Sequence, residues 1–541
     1  VFDNNKDQLD DIVFQYFGKK IKYRTFFENV GKVAKSLNVM GIKAGDVVTI
    51  MSMHTPETLY VIYGLNYVGV TANIVYPTLT DKEILQSVKN TDSKALFVLD
   101  KVFGKILSIL EVIKVPVVRL PVDISMPWIV RCGYRLKEKG KGIVPNGFME
   151  YQAFLEKGKH SENVIPATDS TAMAVIVYTS GTTGEPKGVC LSNDSINNMA
   201  VQDRKGLMDF VRGKTCLFIL PPFIGFGINH IHVMMSTGIV SILQIVLEPK
   251  TVIEQLFRHK PYVFLTGPAT APVFCRHKAQ NLSNLKYFIG GGGAITEQQT
   301  AEVNGLLAKC NSTATYSNGY GMTEASSLLC ASANEISKSG SVGIPIIDTN
   351  VKIVDVETGN ELSYREMGEL WFHCPNLMMG YYKNKEATNE IIINDVDGKK
   401  WIRTGDLGTV DQDGFVFITG RLKRIFVTRD MNNNVLKPFP QHIEEVLMGF
   451  EETLECGVIV QKDEKRVHVG IAFVTLKDGE KYKEISERDA ILKKIKAHAQ
   501  TELAEHMMPA EIHIIEKMPI TSSGKIDYRA LEKMAEKKQY L

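Results

Sequence analysis

A chain of 541 residues is too long for a single hydrophobic core, so at least two domains are expected. Hydrophobic residues at 44% and charged residues at 23% are ordinary for a globular protein, and a net charge of +2 excludes a general electrostatic drive toward nucleic acid. Eight cysteines without a CxxC pair exclude a disulfide framework or a zinc site and fit reduced thiols in a cytoplasmic setting.

The first residues carry no basic segment followed by an apolar one, so no signal peptide is expected. From Ile21 to Leu99 helix-like and strand-like pieces alternate. Helical spacing covers 26–37 and 55–67, and short apolar strands cover 46–51, 95–99 and 115–120. Such alternation predicts α/β architecture with a parallel sheet covered on both faces. The most apolar windows, 61–75 and 224–247, contain Asn66, Asn73, Asn229, His230, His232 and Gln244. They read as buried helices and strands, so no integral membrane segment is expected. The stretch 125–141 joins an apolar start (Trp128, Ile129, Val130) to a basic end. It reads as a solvated helix packed by its aromatic side, with a membrane-surface helix as the alternative.

Ala172-Met-Ala-Val-Ile-Val177 has the composition of a buried strand. It runs into Tyr178-Thr-Ser-Gly-Thr-Thr-Gly-Glu-Pro-Lys187-Gly-Val189. Gly181 and Gly184 permit a backbone that turns N–H groups inward as a nest for phosphate oxygens. Thr179, Ser180, Thr182 and Thr183 add hydroxyl donors, and Lys187 adds a mobile charge. The motif GxxxxGK[ST] is not met, because Pro186 precedes the lysine and Gly188 follows it. The alternation resumes as far as Leu329, with strands expected over 217–220, 262–265 and 287–289. From 340 to 419 the texture becomes short alternating strands with turns at Thr358-Gly-Asn, Asp397-Gly and Asp413-Gly, a small antiparallel sheet or barrel. After the basic run Arg421, Lys423, Arg424 comes an α+β unit. It has a helix over 441–448, strands over 456–461 and 467–476, and a long helix over 487–503 with Ser486 as N-cap. The predicted division is a large N-terminal domain, 1–420, with its barrel-like part at 340–420, and a small C-terminal domain, 421–541.

Five further segments carry residue types that a nucleotide site needs. Ile289-Gly-Gly-Gly-Gly-Ala294 ends a strand with backbone that a flat group can approach. Tyr316-Ser-Asn-Gly-Tyr-Gly-Met-Thr-Glu-Ala325 places a ring, a hydroxyl and a carboxylate together, suited to a base, a phosphate and Mg²⁺. Thr404-Gly-Asp406 offers an acceptor for a ribose diol. Gly420-Arg-Leu-Lys423 supplies cations, and Pro519-Ile-Thr-Ser-Ser-Gly-Lys525 carries a lone lysine behind a glycine loop.

The order and spacing of YTSGTTGEPKG, GYGMTEAS, GELWFHCPNLMMGYYKN, TGDLG, GRLKR and PITSSGKID resemble the adenylate-forming superfamily of acyl-CoA synthetases, aryl-CoA ligases, peptide-synthetase adenylation domains and luciferases. The resemblance covers essentially the whole chain. It implies a two-part fold: an N-terminal domain of two parallel-sheet α/β subdomains with a small β-barrel, then a mobile α+β C-terminal domain. It implies that Thr179, Ser180, Gly181, Thr182, Thr183, Gly184 and Lys187 cradle the ATP phosphates. Gly292, Gly293 and Ala294 with Asn318, Gly319, Tyr320, Gly321 and Met322 would line adenine, Tyr320 stacking on it. Thr323 would contact the α-phosphate, Glu324 would hold Mg²⁺, and Asp406 with Arg421 would hold the ribose. Lys525 would bridge the attacking carboxylate and the α-phosphate. Lys423 would be the hinge about which the C-terminal domain turns before CoA attacks.

Two departures from the family pattern stand out. The segment 427–440 is longer than usual, with Met431 or Asn432 where a glycine is expected beside the thiol route, so a carrier-protein thiol stands as an alternative acceptor to CoA. Ile224 replaces a frequent histidine in Phe223-Ile-Gly-Phe-Gly227, the segment resembling the acyl-pocket wall. That wall has no Asp to anchor an amino group, so an uncharged acyl tail is favoured, a fatty acid foremost. Gly225 and Gly227 are read as leaving room, Phe226 as wall or gate, and His230 and His232 as satisfied core histidines. A non-catalytic nucleotide-binding protein on the same scaffold is the rival of a different class. The oligomeric state is not legible.

Overall fold

The computed structural model describes residues 1–138, 147–179, 186–206, 208–293, 295–333, 336–429, 434–477, 479–482, 484–521 and 525–537. Among them the first sheet has eight strands. Its central members, Thr71–Ile74, Val47–Met51, Leu96–Leu99 and Val117–Leu120, are parallel neighbours and almost wholly buried. Cover on both faces accounts for their mostly apolar sequence, the buried Thr49, Thr71 and Asn73 being exceptions. Met173–Thr179 continues the parallel set, and Lys187–Ser192 turns back against it. The helices start where local chemistry provides for it. Thr55 accepts from Thr58 N before Pro56–Tyr67, and Thr80 and Glu83 form a capping box at Asp81–Asn90.

The second sheet has nine strands among the described residues. Its parallel core runs Val240–Leu243, Thr215–Phe218, Val263–Thr266, Tyr287–Gly291 and Tyr316–Tyr320. The N-terminal hairpin Ile12–Tyr16 with Lys19–Lys22 completes one edge, so the start of the chain is built into the second sheet. The largest core cluster is shared by both sheets, with Phe14, Phe26, Phe97, Phe154 and Phe218 among its fully buried side chains.

The antiparallel sheet predicted between 340 and 419 is present as Asn350–Val354, Gly368–His373, Ile392–Asn394, Lys400–Val410 and Val416–Arg421. The smaller C-terminal domain has the three-stranded sheet Thr453–Asp463, Val467–Leu476 and Glu511–Ile514, with helices Pro440–Met448, Ile485–Glu502 and Tyr528–Glu536. The long helix begins at Ile485 after Glu484, and no side-chain bond caps it, so Ser486 is inside the helix and not its cap.

The stretch from 125 needs a second correction. It is a helix, Trp128–Glu138, but its aromatic start does not pack. Trp128 is 75% exposed, and it is Tyr134 that turns toward the body. Among the described residues no helix is long and apolar enough to cross a membrane.

Candidate active site

Thr179 and Lys187 face each other at the open end of an antiparallel hairpin, so the predicted phosphate loop joins strand to strand. Ser180, Gly181, Thr182, Thr183 and Gly184 lie outside the described residues. Beyond the returning strand Gly380–Tyr381 adds a further pair of residues, with Tyr381 opposite Val189. This brings Lys187 Nζ over the Tyr381 ring, 4.8 Å from its centroid. The Tyr381 hydroxyl in turn donates to Glu324 Oε1 at 2.7 Å. Burial first, and then Glu324, push the Tyr381 phenol well above its ordinary pKa, so it stays a donor.

Glu324 is buried in the short turn Thr323–Ala325, where Met378 N donates to its carbonyl. With Oε1 held by Tyr381, no described protein group donates to Oε2. Magnesium takes one or two carboxylates and leaves its other positions to phosphates and water. Glu324 fits that requirement, and among the described residues no group of three or more His, Cys, Asp or Glu side chains offers an all-protein cage.

Tyr287–Gly291 and Tyr316–Tyr320 are adjacent parallel strands, pairing Gly291 with Gly319. Gly292, Gly293 and Tyr320 therefore meet outside their carboxyl ends, where open α/β sheets bind ligands. Of the predicted glycines only Gly292 is open. Its φ is +83° and a Cβ there would meet nothing within 4 Å. The others are packed: a Cβ on Gly293 would press on Pro268 at 3.0 Å, one on Gly319 on Leu328 at 3.0 Å, and one on Gly321 on the Ser327 carbonyl at 1.5 Å. Asn318 and Met322 flank this group, and Ala294 lies outside the described residues.

The Tyr320 hydroxyl donates to Asp406 Oδ2 at 2.6 Å, and Arg421 Nε engages Asp406 Oδ1 at 3.0 Å. Asp406 and Arg421 are register partners in neighbouring strands, so the backbone pairing sets the ion pair. A carboxylate has about four lone-pair sites. Asp406, buried and holding one partner on each oxygen, keeps acceptor capacity for a diol.

Lys525 follows Ser522, Ser523 and Gly524, which lie outside the described residues, but the neck of that loop is defined. Thr521 N donates to the Lys525 carbonyl at 2.7 Å, and Ile520 bridges Ile526. Lys525 retains solvent access as a residue. Even so, protein packed about its ammonium, and then Arg421, lower its pKa, while Asp406 and Glu324 act to raise it. The C-terminal lysine thus lies within electrostatic reach of the three charged groups of the N-terminal site.

The pocket-wall segment enters the helix Gly225–Thr237. Phe223 is buried against Tyr76, with ring centroids 4.8 Å apart, and Ile224 is the N-cap residue. The two glycines do not leave room. A Cβ on Gly225 would press on the Thr323 side chain at 3.0 Å, and one on Gly227 would overlap the Pro221 carbonyl at 1.8 Å. They permit close packing of the wall on the site. Phe226 lies against Gly291, whose Cβ would meet its ring at 3.1 Å, so this ring separates the helix from the nucleotide strands.

His232 is satisfied by the Tyr63 hydroxyl and Asn197. His230 Nδ1 bonds the Phe226 carbonyl at 3.0 Å, which can only accept. Nδ1 therefore carries the hydrogen and Nε2 faces Asp203 Oδ2 at 3.6 Å. Burial holds His230 down at about 4 and pushes Asp203 up to about 7, so burial disfavours the charged form of each.

Two positions that the structure ties to predicted residues carry no mark in the sequence. Tyr381 was hidden in the aromatic run Tyr381-Tyr382, and only its pairing opposite Val189 reveals it. Asp203 lies in the helix Asn193–Lys205, 27 positions before its histidine, and no local pattern marks it.

Known proteins resemble this chain in sequence and in fold. The family model "AMP-binding enzyme" matches residues 1–382, and "AMP-binding enzyme C-terminal domain" matches 442–525. A long-chain-fatty-acid–CoA ligase of Bacillus subtilis is 28% identical, over 96% of this chain and 91% of its own. A 2-succinylbenzoate–CoA ligase of Bacillus cytotoxicus is 27% identical, over 98% of this chain and 97% of its own. ATP-bound MatB from Rhodopseudomonas palustris shares the fold with a TM-score of 0.80 at 21% identity, covering 98% of this chain and 96% of that one. An o-succinylbenzoate CoA synthetase from Bacillus subtilis, in complex with an acyl-adenylate intermediate, does so with a TM-score of 0.78 at 21% identity, covering 98% and 97%.

Proposed function

The chain belongs to the AMP-binding enzyme family, and from that premise we propose that it is an ATP-dependent acid–thiol ligase of the acyl-CoA synthetase class. It joins a carboxylic acid, a fatty acid foremost, to AMP and then to CoA. The observation that carries the reading is Lys525 within reach of Glu324, Asp406 and Arg421, because this pose brings the cation of one domain to the anionic centre of the other.

In the first step a carboxylate oxygen attacks the α-phosphorus of ATP and pyrophosphate leaves. The barrier is largely one of bringing like charges together, which calls for positioning and positive charge more than for an acid or base. Lys187 and the hydroxyls from Thr179 to Thr183 hold the leaving phosphates. Gly292 and Tyr320 hold the base, and Asp406 with Arg421 the ribose. Thr323 faces the α-phosphate, and Lys525 spans it and the carboxylate. Glu324 would hold magnesium, whose charge would neutralise the phosphates. In the second step a thiolate attacks the acyl carbon and AMP leaves. For this the domain carrying Lys525 turns away about Lys423, and we place the boundary between the domains within 420–423.

The fatty-acid reading is supported by the apolar wall, with Phe223, Ile224 and Phe226, and by the Bacillus subtilis relative's own substrate. We place it in the cytoplasm, which supplies ATP and CoA and keeps thiols reduced, a setting that suits the eight free cysteines. A panel of carboxylic acids with ATP and Mg²⁺, assayed for pyrophosphate with and without CoA, tests the proposal. Pyrophosphate with medium or long acids, and thioester only with CoA, is the expected result. Pyrophosphate without any CoA thioester would assign the acceptor to a carrier protein, and no pyrophosphate with any acid would leave a nucleotide-binding protein.

A further inference from the structure

The helix Trp128–Glu138 presents its apolar stripe to solvent. At 100° per residue Trp128, Ile129, Cys132 and Leu136 fall within about 100° of arc. Trp128 is 75%, Ile129 66% and Leu136 73% exposed, and Cys132 is exposed as well. Single exposed apolar residues are ordinary, but a contiguous stripe of them on one helix marks an interaction site. The helix is not loosely attached. Arg131 and Arg135 both reach Asp123, whose side chain is 7% exposed, and Lys101 Nζ lies 4.5 Å over the Tyr134 ring. Tyr134 holds the opposite face to the body, while Arg131 and Arg135, along one edge of the stripe, tie the helix to Asp123 and leave the stripe outward.

We propose that this helix lies on an anionic lipid surface, with Trp128, Ile129 and Leu136 in the headgroup–acyl boundary and Arg135 and Lys137 beside lipid phosphates. Residues 128–141 contain five basic residues and one acidic one, against a net charge of +2 for the whole chain. Arg135 is 59% exposed at its side chain despite its bond to Asp123, so its charge remains open to phosphates. An apolar face ending in Trp with basic flanks is the pattern of an interfacial helix, and no helix among the described residues offers a crossing instead. The stripe is also too small for a stable protein contact. Four side chains, even with Trp at about 200 Å², fall short of about 800 Å² per partner.

The position of the helix gives the contact a use, and this part rests on the fatty-acid reading above. The loop leading to the helix is tied to the site side of the fold. Ser125 Oγ donates to Glu57 Oε1 at 2.6 Å at the start of the helix Pro56–Tyr67. Just before that helix, His54 is buried on Phe218 and against the backbone of Gly227. A surface-bound enzyme would draw an acid that partitions into lipid from the side on which its pocket wall lies.

Flotation of the full chain with phosphatidylcholine vesicles, with and without phosphatidylglycerol, tests the docking. Binding to the anionic vesicles is expected, weakened roughly a hundredfold by W128S/L136S and roughly tenfold by Lys137→Glu. Of the three tryptophans Trp401 is buried and Trp371 half-buried, so a blue shift of emission on vesicle addition reports Trp128. Trp128→Phe should lose the shift and keep the binding. Thermal melts and pyrophosphate release with a short, water-soluble acid should be unchanged in all three variants. Absence of vesicle binding, binding indifferent to W128S/L136S, or a Trp128-dependent dimer in place of vesicle binding would overturn the proposal. Vesicle binding by a protein that adenylates no acid would overturn only the function proposed above.

Discussion

Lys525 combines a required charge with surroundings that disfavour it. Packing and Arg421 lower its pKa, while Asp406 and Glu324 act in the opposite sense. Its ammonium therefore deprotonates below the ordinary lysine value of about 10.4. If the charged form drives adenylation, kcat/KM should fall on the alkaline side earlier than a normal lysine would allow, and Lys525→Arg should push that limb upward. A limb that does not move would assign it to another group. Lys525→Ala should slow adenylation roughly a thousandfold, the scale of losing one electrostatic contact to the reacting group. The same variant should still convert a supplied acyl-adenylate to thioester. Tyr381 acts on the metal side. Removing its hydroxyl from Glu324 frees the carboxylate to rotate, and losses of this kind weaken metal binding about 10- to 100-fold. Tyr381→Phe should raise the Mg²⁺ concentration for half-maximal pyrophosphate release by roughly tenfold. Unchanged Mg²⁺ dependence would place the metal elsewhere. The contrast between these two residues shows what was legible. Glu324 stands in a motif whose residue types suggest its chemistry, whereas Asp406 and Lys525 read singly as a turn or a surface ion pair and are picked out only by the family resemblance. Tyr381 looks like packing until a strand pairing sets it between Lys187 and Glu324, 57 positions from the carboxylate it serves.

Elements were legible where burial is two-sided and continuous. The strands near 46–51, 95–99 and 287–289 were expected within a residue or two, because short, nearly continuous apolar runs suit strands buried on both faces. The helix Trp128–Glu138 misled for a physical reason. Periodicity shows that an apolar stripe exists but not which way it faces, and only Asp123, bonded to Arg131 and Arg135, fixes the direction. The helix Pro56–Tyr67 carries a tension of its own. Glu57 is buried, with Oε1 bonded to Ser125 and Oε2 without a partner. Burial pushes its pKa from 4.5 up to about 7, with the Ser125 bond opposing. The sign follows from proton counts. Between those values the unfolded chain has released the proton and the folded chain retains it, so stability falls as pH rises through this window and levels off above it. The full excursion is at most about 3 kcal/mol. Glu57→Gln keeps an acceptor for Ser125 and removes the charge. Its melting midpoint should match wild type near about pH 5 and exceed it by several degrees near about pH 8. A constant offset across pH would mean that Glu57 is not the titrating group.

At the scale of the whole molecule, two arginines three residues apart belong to different bodies. Arg421 is held by Asp406 of the N-terminal site. Arg424 is held by the C-terminal domain: bidentate to Glu444, donating to the Val458 carbonyl at 3.0 Å, and 4.0 Å over the Tyr528 ring. Both sets of contacts are partly or wholly buried, so neither is expected to break cheaply. If the C-terminal domain turns as proposed, these contacts leave Leu422 and Lys423 to absorb the rotation, and Lys423 is exposed in the single turn Leu422–Arg424. The run of cations marks this place in the sequence, and the two sets of partners narrow the proposed pivot to these two residues. A proline at 423 fixes φ near −65°. If that value suits the pose in which Lys525 reaches the site, Lys423→Pro should release pyrophosphate at near wild-type rate in the first turnover. Thioester formation should then fall by an order of magnitude or more, because the second pose is closed to it. Arg424→Ala should differ, loosening Glu444 and Tyr528 and slowing both half-reactions together. Single-turnover measurement of adenylate and thioester separates the outcomes, and equal loss of both steps in Lys423→Pro would move the pivot out of 422–423.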